Sequence, residues 1–363
     1  MRPPSQAPFA SRVIRWQRTH GRRDLPWQQT RDAYRIWLSE IMLQQTQVTT
    51  VLRYYERFVV AFPDVTSLAT APVGRVLELW SGLGYYRRAH HLHAAAREVV
   101  DRFDGRFPAD SATLATLPGI GRSTAAAIAA FASHERGAIL DGNVKRVIAR
   151  HRGIDGWPGT PRVAAMLWRE AENLLPLRGD MAAYTQGLMD LGATVCARAK
   201  PLCAACPVAD DCVARLQRRV DRLPAPRPKK VLPRREIVVL LIEHEDRVLL
   251  ERRPPTGVWP GLLSLPEISI DDEIASVIEL RFGATAYTSE PLASMTHVFT
   301  HFALEMRPVH VVLKAGPSYA AMATHEWVSL DAVVAAALPA PMRGLLRQRR
   351  AANATGNCSY DQR

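Results

Sequence analysis

Two carboxylates stand in sequence settings that could support acid–base chemistry. Glu40 lies within a predicted helix over 32–52, and its neighbours three and four positions away are mostly apolar. Poor hydration raises the pKa of a carboxyl group, so Glu40 could keep its proton near neutral pH and act as a general acid. A partly buried glutamate with a salt-bridge partner is the alternative that the sequence leaves open.

Asp141 is the second carboxylate. It follows the apolar residues Ala138, Ile139 and Leu140 and precedes a predicted helix over 144–152. An aspartate in front of a helix commonly caps its N-terminus. A carboxylate that emerges from an apolar segment beside a glycine turn could equally face a substrate, and both interpretations stay open.

A glycine turn precedes an alanine-rich helix that the sequence predicts over 123–132. In Leu117-Pro118-Gly119-Ile120-Gly121, the two glycines let backbone N–H groups converge where the helix begins. The helix dipole adds partial positive charge there, so the turn could hold a phosphate. A plain tight connection between helices is the alternative. The net charge of +12, from 47 Lys and Arg against 35 Asp and Glu, favours the phosphate interpretation.

Four of the five cysteines lie within seventeen residues, at the spacing Cys-x6-Cys-x2-Cys-x5-Cys, whereas Cys358 stands alone. In an intracellular protein such clustering indicates a metal site more often than disulfides. A single close pair with two outlying cysteines suits a [4Fe-4S] cluster, and a zinc module is the alternative. Arg198 and Lys200, inside the first spacing, could offer positive charge to a phosphate backbone or be merely solvated. The clustered residues are Cys196, Cys203, Cys206 and Cys212.

The pattern along the chain predicts two domains, which agrees with a length of 363 residues. Helical spacing dominates up to the stretch 218–235, which has four prolines and eight basic residues against one acid and indicates a cationic linker. Strand-like segments follow. We therefore predict an all-α domain over 1–222, a linker over 223–235, an α+β domain over 236–350 and a flexible tail over 351–363. The second domain should contain a hairpin over 237–250, a helix over 271–282 and strands over 298–306 and 309–314.

The composition is that of a globular protein. A hydrophobic fraction of 47% and a charged fraction of 23% argue against general disorder. No segment reaches the roughly 20 apolar residues of a membrane helix, and the first residues lack the apolar core of a secretory signal. We expect an intracellular protein, and charge alone does not separate DNA, RNA and acidic membrane as partners. The positive charge makes a polyanion the first partner to consider.

Taken together, these residues resemble the helix-hairpin-helix DNA glycosylases with an iron–sulfur cluster, and most closely the MutY-type adenine DNA glycosylases. The matching segments follow one another in order and cover nearly all of the predicted first domain. They are LPWQ (25–28), SEIMLQQTQV (39–48), SGLGYYRRAHHL (81–92), LPGIGRSTAAAI (117–128), ILDGNVKRV (139–147), QGLMDLGATVC (186–196) and the four clustered cysteines.

The resemblance implies an enzyme that flips adenine out of double-stranded DNA, opposite 8-oxoguanine or guanine, and hydrolyses its N-glycosidic bond. It implies that Glu40 protonates the base, that Asp141 stabilises the oxocarbenium-like sugar, and that Asn143 helps fix Asp141 and the attacking water. It further implies a [4Fe-4S] cluster on the four cysteines. The matched adenine-pocket residues are Arg23, Trp27, Gln28 and Asp190, and the matched intercalating residues are Gln45 and Tyr85.

The residue at position 123, Ser123, bears on whether the enzyme also has lyase activity. Related pyrimidine glycosylases with lyase activity carry a nucleophilic lysine at this position, and Schiff-base chemistry needs an amine. We therefore expect a monofunctional glycosylase. An endonuclease III-like glycosylase/lyase and a non-catalytic iron–sulfur DNA-binding protein are the alternatives, and a pure binder would need neither Glu40 nor Asp141.

The predicted second domain resembles the Nudix-like C-terminal domain of the same family. Gly261-x5-Glu267 matches the start of the Nudix box, but the paired glutamates that would bind magnesium do not follow. The resemblance implies that Phe299, Thr300 and His301 read the base opposite adenine. Thr300 stands where the family commonly has serine, and its extra methyl group changes the fit of that contact. The resemblance also implies a cytoplasmic, nucleoid-associated protein without a membrane partner, and we expect a monomer. Other repair or replication proteins could join it, but the sequence identifies none.

Overall fold

The computed structural model describes residues 7–228, 231–254, 256–314, 325–334 and 336–357. Contacts between Cα atoms divide the chain into two compact units. The first unit is Met1–Ala71 with His91–Lys229, and the second is Pro72–His90 with Lys230–Arg363. Helices build the first unit and a sheet dominates the second, so the prediction of an all-α part and an α+β part is confirmed. The grouping of Pro72–His90 with the sheet was not predicted, and the domain boundaries proposed from the sequence remain predictions.

Helices occupy most of the chain before the sheet. Shorter elements are the 3₁₀ turns Pro26–Gln28 and Cys203–Ala205 and the π-helical turn Leu191–Val195. The α-helices are α1 (Phe9–His20), α2 (Ala33–Leu43), α3 (Val48–Ala61), α4 (Val65–Thr70), α5 (Val73–Trp80), α6 (Arg87–Phe103), α7 (Ser111–Leu114), α8 (Arg122–Ser133), α9 (Gly142–Arg152), α10 (Pro161–Asn173), α11 (Met181–Asp190) and α12 (Val213–Leu216).

Aspartate side chains define where several of these helices begin. Each accepts a hydrogen bond from a backbone N–H two or three positions later, which satisfies a donor that the first helical turn leaves without a partner. The carboxylate also lies at the positive end of the helix dipole. These residues are Asp32, Asp64, Asp110, Asp141 and Asp180.

The single helix predicted over 32–52 is wrong. Helix α2 ends at Leu43 and α3 begins at Val48. Gln45, between them, has a left-handed backbone with φ of 58°, which cannot continue a right-handed helix. Apolar residues at helical spacing on both sides of this break hid it from a periodicity argument. Glu40 lies in the last two turns of α2.

Helix α8 lies at the centre of the first unit. Its residues 125–130 are buried, and five of these six are alanines, so neighbouring helices can approach closely. Helices α2, α7 and α11 pack against it. Larger side chains, among them Val13, Leu167 and Tyr184, fill the adjoining core. Each removal of such a side chain would leave a cavity, which typically costs about 2–5 kcal/mol.

The second unit contains a mixed sheet. Its main path is β3-β2-β1-β7-β5, with β4 on β1, β6 on β7 and β8 on β2. The pair β1–β7 is parallel and every other pair is antiparallel. The strands are β1 (Arg234–His244), β2 (Arg247–Arg252), β3 (Leu263–Ser264), β4 (Glu267–Ile268), β5 (Tyr287–Pro291), β6 (Met295–Val298), β7 (Ala303–Leu313) and β8 (His325–Ser329), and the helices are α13 (Ile274–Phe282) and α14 (Ala340–Asn357).

Some predicted elements of this unit are confirmed and others are wrong. The hairpin of β1 and β2 is confirmed, and the predicted helix over 271–282 begins at Ile274 as α13. The predicted strand over 298–306 is wrong because a turn over 299–302 separates β6 from β7. The predicted break before residue 309 is also wrong, since β7 continues through Pro308, which lies opposite Val239 of β1.

Helix α14 runs into the predicted tail over 351–363. It reaches Asn357, so the first part of that stretch is helical. Residues 358–363, including Cys358, lie outside the described residues. Within the described part of the chain, no helix has the length and apolar character that crossing a membrane requires.

A buried ionic cluster ties α14 to the sheet. Glu243 and His310 are nearly inaccessible, and His310 Nε2 lies 2.8 Å from Glu243 Oε2. Arg349 of α14 donates to both oxygens of Glu243 at 2.9 Å, and His310 Nδ1 lies 3.1 Å from Glu290 of β5. The hydrogen bond to Glu243 raises the pKa of His310. Burial opposes ionisation of Glu243, but the hydrogen bonds from His310 and Arg349 hold its pKa below the usual range.

Glu243→Gln should therefore loosen the second unit. Removing one partner of a buried ion pair typically costs about 3–5 kcal/mol. The carboxylate contribution is present above the ordinary Glu pKa, and the imidazolium contribution is lost as pH rises through the raised pKa of His310, so the cost should be largest between about pH 5 and 6.5. Hydrogen–deuterium exchange should show faster exchange in β1, β7 and α14.

Glu236→Gln is the matched control on the same strand. Glu236 pairs with Arg307 at 2.7 Å, but both side chains are exposed, so its loss should cost less than about 1 kcal/mol. Exchange in Glu243→Gln that matches the unmodified chain would contradict the importance of the buried cluster.

Candidate active site

The first unit contains a cavity of about 550 Å³ beside Glu40. Its lining comes from the end of α1, the turn Pro26–Gln28, α2 and α11. A volume of this size is typical of small-molecule sites. Of the four residues that the resemblance assigned to an adenine pocket, Arg23, Trp27 and Gln28 line this cavity.

Trp27 and Gln28 give the cavity a flat apolar wall and a free donor. Trp27 is 7% exposed, and its ring packs edge-on against Tyr55 at 5.1 Å between centroids. Gln28 Oε1 accepts from Leu25 N at 3.3 Å. Gln28 Nε2 is buried and has no hydrogen-bond partner among the described residues. A buried donor without a partner is costly, so this amide is available to a polar ligand.

Asp190 lies behind this cavity and is not among its lining residues. Its side chain is fully buried and accepts from Arg22 N at 2.9 Å, Arg22 Nε at 2.7 Å and Gln186 Nε2 at 2.9 Å. Arg22 and Gln186 both line the cavity, and sequence reasoning missed them. The signal for Arg22 was its place beside Arg23, three residues before the LPWQ segment begins. Asp190 thus positions two lining side chains.

Glu40 is half-buried and lies on the wall of the cavity. Burial, with a smaller contribution from the nearby charge of Asp141, raises its pKa to about 8. Glu40 is therefore largely protonated at neutral pH. A protonated carboxyl group beside a pocket is a proton donor, which is the chemistry that the sequence suggested.

Asp141 caps helix α9, which confirms the capping interpretation. Its Oδ1 accepts from Val144 N at 2.7 Å. Burial raises its pKa, whereas backbone N–H groups of Val144 and Asn143 and the charge of Arg146 act in the opposite direction. The cap does not exclude a chemical role, because the charge of Asp141 reaches Glu40. The two carboxyl groups therefore share one poorly hydrated region.

Asn143 is held by an arginine on the next turn of α9. Its Oδ1 accepts from Arg146 Nη2 at 2.9 Å. Arg146 also donates to Gly192 O at 2.6 Å and to Cys196 O at 2.7 Å. Gly192 has to be glycine, because a Cβ there would lie 2.6 Å from Asn143 Cβ. These contacts connect the helix that begins at Asp141 with the cysteine segment.

The four clustered cysteines surround one small cavity. Arg150 is buried and donates to Cys196 Sγ at 3.4 Å and to Ala197 O at 2.7 Å. Burial raises the pKa of Cys206 to about 12 and raises that of Cys212. These thiols stay protonated unless a metal binds sulfur. Four cysteine sulfur donors that line one cavity are a donor set that fits a metal. Within the described residues, no group of three or more His, Cys, Asp or Glu side chains closes around a single ion.

The glycine turn has the backbone that the sequence required of it. Gly119 has φ of 77°, and a Cβ there would lie 2.8 Å from His91 Cβ. Gly121 is the N-cap residue of α8. Ser123, in the first turn of α8, accepts from Leu140 N at 2.9 Å. This bond joins the turn and its helix to the segment that carries Asp141.

Other predicted site residues are exposed and lie apart from the cavity lining. Gln45 and Tyr85 each have a left-handed backbone, with φ of 58° and 50°. Such strain in a non-glycine residue is often found at functional sites. Arg198 and Lys200 are exposed on the cysteine segment. In the turn between β6 and β7, Thr300 and His301 are exposed, whereas Phe299 is half-buried.

Both parts of the chain match families of known proteins. Residues 38–173 match the family described as HhH-GPD superfamily base excision DNA repair protein, and residues 237–348 match the NUDIX domain. Among solved structures, a thermostable thymine-DNA glycosylase aligns with a TM-score of 0.52 and 32% identity, covering 58% of this chain and 95% of that one.

Two proteins similar to most of this chain are both described as adenine DNA glycosylases. The adenine DNA glycosylase of Buchnera aphidicola subsp. Acyrthosiphon pisum (strain APS) is 35% identical over 305 residues, which cover 84% of this chain and 87% of the relative. The adenine DNA glycosylase of Mus musculus is 33% identical over 401 residues, covering 93% of this chain and 77% of the relative.

Because the pKa of Glu40 is raised in the folded chain, the protein should become less stable as the pH rises. Between the ordinary Glu pKa and about 8, the folded chain binds more protons than the unfolded chain, so stability falls as pH rises. Glu40→Gln cannot ionise and should remove this slope, which is at most about 1.4 kcal/mol per pH unit. The variant should match the unmodified chain near pH 5 and unfold at a higher temperature near pH 8.

Thermal unfolding followed by circular dichroism at several pH values measures this difference. Glu56→Gln, at an exposed position of α3, is the control and should keep the pH dependence of the unmodified chain. A Glu40→Gln curve parallel to that of the unmodified chain would show that Glu40 is ionised at neutral pH.

Proposed function

The chain belongs to the adenine DNA glycosylase family, and from this we propose that its substrate is duplex DNA in which adenine lies opposite 8-oxoguanine or guanine. The activity itself, removal of adenine in base excision repair, follows from the family. We further propose that the enzyme works as a monomer on nucleoid DNA. The observation that carries the proposed mechanism is the position of Glu40, whose pKa is raised to about 8, at the wall of a cavity of about 550 Å³.

The cavity offers an extruded adenine the contacts that it needs. Trp27 presents an apolar ring, and the Nε2 atom of Gln28 is a donor without a partner in the described part of the chain. Arg23 lies at the exposed part of the lining. Extrusion costs a few kcal/mol of lost stacking, which Gln45 and Tyr85 would offset by filling the space that the base leaves.

Proton transfer from Glu40 makes adenine a better leaving group. As the N-glycosidic bond breaks, positive charge develops on the sugar, and the carboxylate of Asp141 stabilises it. The two roles differ because the environments differ. Among the described residues, no hydrogen bond favours the anion of Glu40, whereas Asp141 accepts hydrogen bonds from backbone N–H groups at the start of α9. Asn143, held by Arg146, would orient Asp141 and the attacking water.

The remaining predicted residues would hold the duplex and read the opposite base. Gly119 and Gly121 offer backbone N–H groups to a phosphate, and Arg198 and Lys200 offer charge. Ser123 supplies no amine for a Schiff base, which supports hydrolysis without strand cleavage. We propose that the tip of the β6–β7 hairpin, formed by Phe299, Thr300 and His301, contacts 8-oxoguanine.

We also propose that the cysteines hold a [4Fe-4S] cluster. Cys196, Cys203, Cys206 and Cys212 would each bind one iron, and the bound cluster would supply the covalent links that fix the segment 196–212. The protein's own part is to hold that segment against α9 through Arg146 and Arg150. This places the exposed side chains of Arg198 and Lys200 on a rigid support.

A substrate panel tests the proposed activity. Labelled duplexes carrying adenine opposite 8-oxoguanine, adenine opposite guanine, or an oxidised pyrimidine are incubated with the protein and then treated with or without hot alkali. Cleavage should occur at adenine, chiefly opposite 8-oxoguanine, and after alkali alone. Cleavage at the pyrimidine without alkali would support a glycosylase/lyase instead.

In the same assay, Glu40→Gln should lower the single-turnover rate by about 10²- to 10⁴-fold, the usual contribution of a general acid. The rate of the unmodified chain should fall above about pH 8, because Glu40 then loses its proton. Glu56→Gln should behave like the unmodified chain. Full activity in Glu40→Gln would exclude the proposed proton transfer.

Metal analysis tests the cluster. The purified chain should contain about four irons per molecule and show broad visible absorption. Cys203→Ser should lose iron, whereas Cys358→Ser, outside the cysteine cluster, should keep it. One zinc per chain without visible absorption would identify a zinc site instead.

A further inference from the structure

At the tip of the β6–β7 hairpin, the aromatic side chains pack inward and the polar side chains are exposed. Phe299 N donates to Phe302 O at 2.8 Å and closes the turn over 299–302. Phe302 is 2% exposed, and Phe299 is half-buried. Thr300 and His301, between them, are exposed. The two aromatic residues therefore anchor the tip, while the two polar residues face outward.

Trp259 packs against one side of this tip. It lies in the loop between β2 and β3, and its ring is 8% exposed. The ring centroid is 5.3 Å from that of Phe299 and 5.5 Å from that of His297, at tilted angles of 52° and 53°. Aromatic pairs prefer such distances and inclined geometries over face-to-face stacking. Trp259 thus covers the face of the hairpin that Phe299 presents.

The aromatic contacts continue through the tip. The rings of Phe299 and Phe302 stack at 4.7 Å, and the Arg235 guanidinium lies 4.6 Å from the centre of the Phe302 ring. Trp259 and Arg235 therefore hold the two aromatic residues from opposite ends of one row. A shift of Trp259 would move Phe299 first and the outward-facing residues with it.

The loop that carries Trp259 is itself braced. Arg253 Nε donates to Val258 O at 2.7 Å, and the guanidinium of Arg253 lies 5.9 Å from the Trp259 ring. The other end of that guanidinium pairs with Glu267. The loop therefore has a fixed position relative to β4, which suits it to act as a support.

The backbone of Trp259 is strained. Its φ of 51° lies in the left-handed region, which costs a bulky residue free energy that glycine would avoid. Such strain persists where surrounding contacts fix it, and it is concentrated at functional sites. Here those contacts are the rings of the hairpin tip.

We propose that Trp259 is the positioning residue for recognition of the base opposite adenine. It does not touch DNA in this proposal. It acts through Phe299, whose position sets the direction of Thr300 and His301. The inference rests on the proposed function of the tip and adds the residue that determines its specificity.

The test compares two substrates in the full-length protein. Single-turnover excision of adenine is measured opposite 8-oxoguanine and opposite guanine, and the ratio of the two rates is the readout. Trp259→Ala should lower this ratio by about tenfold, a size typical of one lost specific base contact. Trp259→Phe, which keeps an aromatic ring, should retain most of the preference. Trp327→Phe is the control in the same unit, because its ring packs against His244, and it should leave the ratio unchanged.

A double-mutant cycle tests the route through Phe299. Phe299→Leu and Trp259→Leu should each lower the ratio, and the double variant should lower it little beyond either one alone, because the effects of residues that act through one another are not additive. This cycle also decides the question if Trp259→Ala fails to fold. Additive effects would overturn the proposal.

The results of these experiments distinguish the positioning role of Trp259 from the proposed function of the hairpin tip. Equal slowing of both substrates by Trp259→Ala would assign the residue to stability alone and overturn its positioning role. A strong preference in the unmodified chain that every Trp259 variant keeps would also overturn that role, with the proposed function intact. A rate ratio near one in the unmodified chain would contradict the proposed function of the tip and the inference with it.

Discussion

The chemistry that we propose for this protein depends on a carboxyl group that burial keeps uncharged. Burial and the nearby charge of Asp141 raise the pKa of Glu40 to about 8. In a region of low dielectric, two neighbouring carboxyl groups are not both ionised at low cost. Burial of Glu40 therefore creates a proton donor, and the capping bonds at Asp141 determine which of the two groups carries the negative charge.

The rest of the first unit maintains that arrangement. Buried alanines of α8 bring α2, the helix of Glu40, close to the centre of the unit. Ser123 joins α8 to the segment before Asp141, and Arg146 joins α9 to the cysteine segment. A metal bound by the cysteines would therefore be connected to α9 by hydrogen bonds from the side chains of Arg146 and Arg150 to backbone carbonyl oxygens. In our proposal, its contribution to the reaction is mechanical, through the position of α9.

The second unit also has packed side chains behind an exposed surface. In our proposal, exposed side chains on a hairpin tip read the base opposite adenine, and a tip exposed to water has few contacts of its own. The row of aromatic rings from Trp259 to Phe302 supplies those contacts from behind. Farther along β7, the buried cluster of His310, Glu243 and Arg349 fixes α14 to the same sheet. Rigid packing thus lies behind both surfaces that we propose contact DNA.

The sequence by itself determined the division into a helical and a mixed part, the helices α8 and α9, the hairpin of β1 and β2 and the grouping of the cysteines, because these depend on local periodicity and spacing. Only the tertiary structure decided what surrounds each site. Asp190 proved to hold Arg22 and Gln186 behind the cavity, the break at Gln45 divided one predicted helix, and a turn at 299–302 replaced a predicted strand. The apolar neighbours of Glu40 along α2 already suggested its poor hydration, but the nearby charge of Asp141 and the place of Trp259 behind Phe299 arise from residues far apart in the chain. Such long-range contacts are properties of the packed molecule, and no local pattern encodes them.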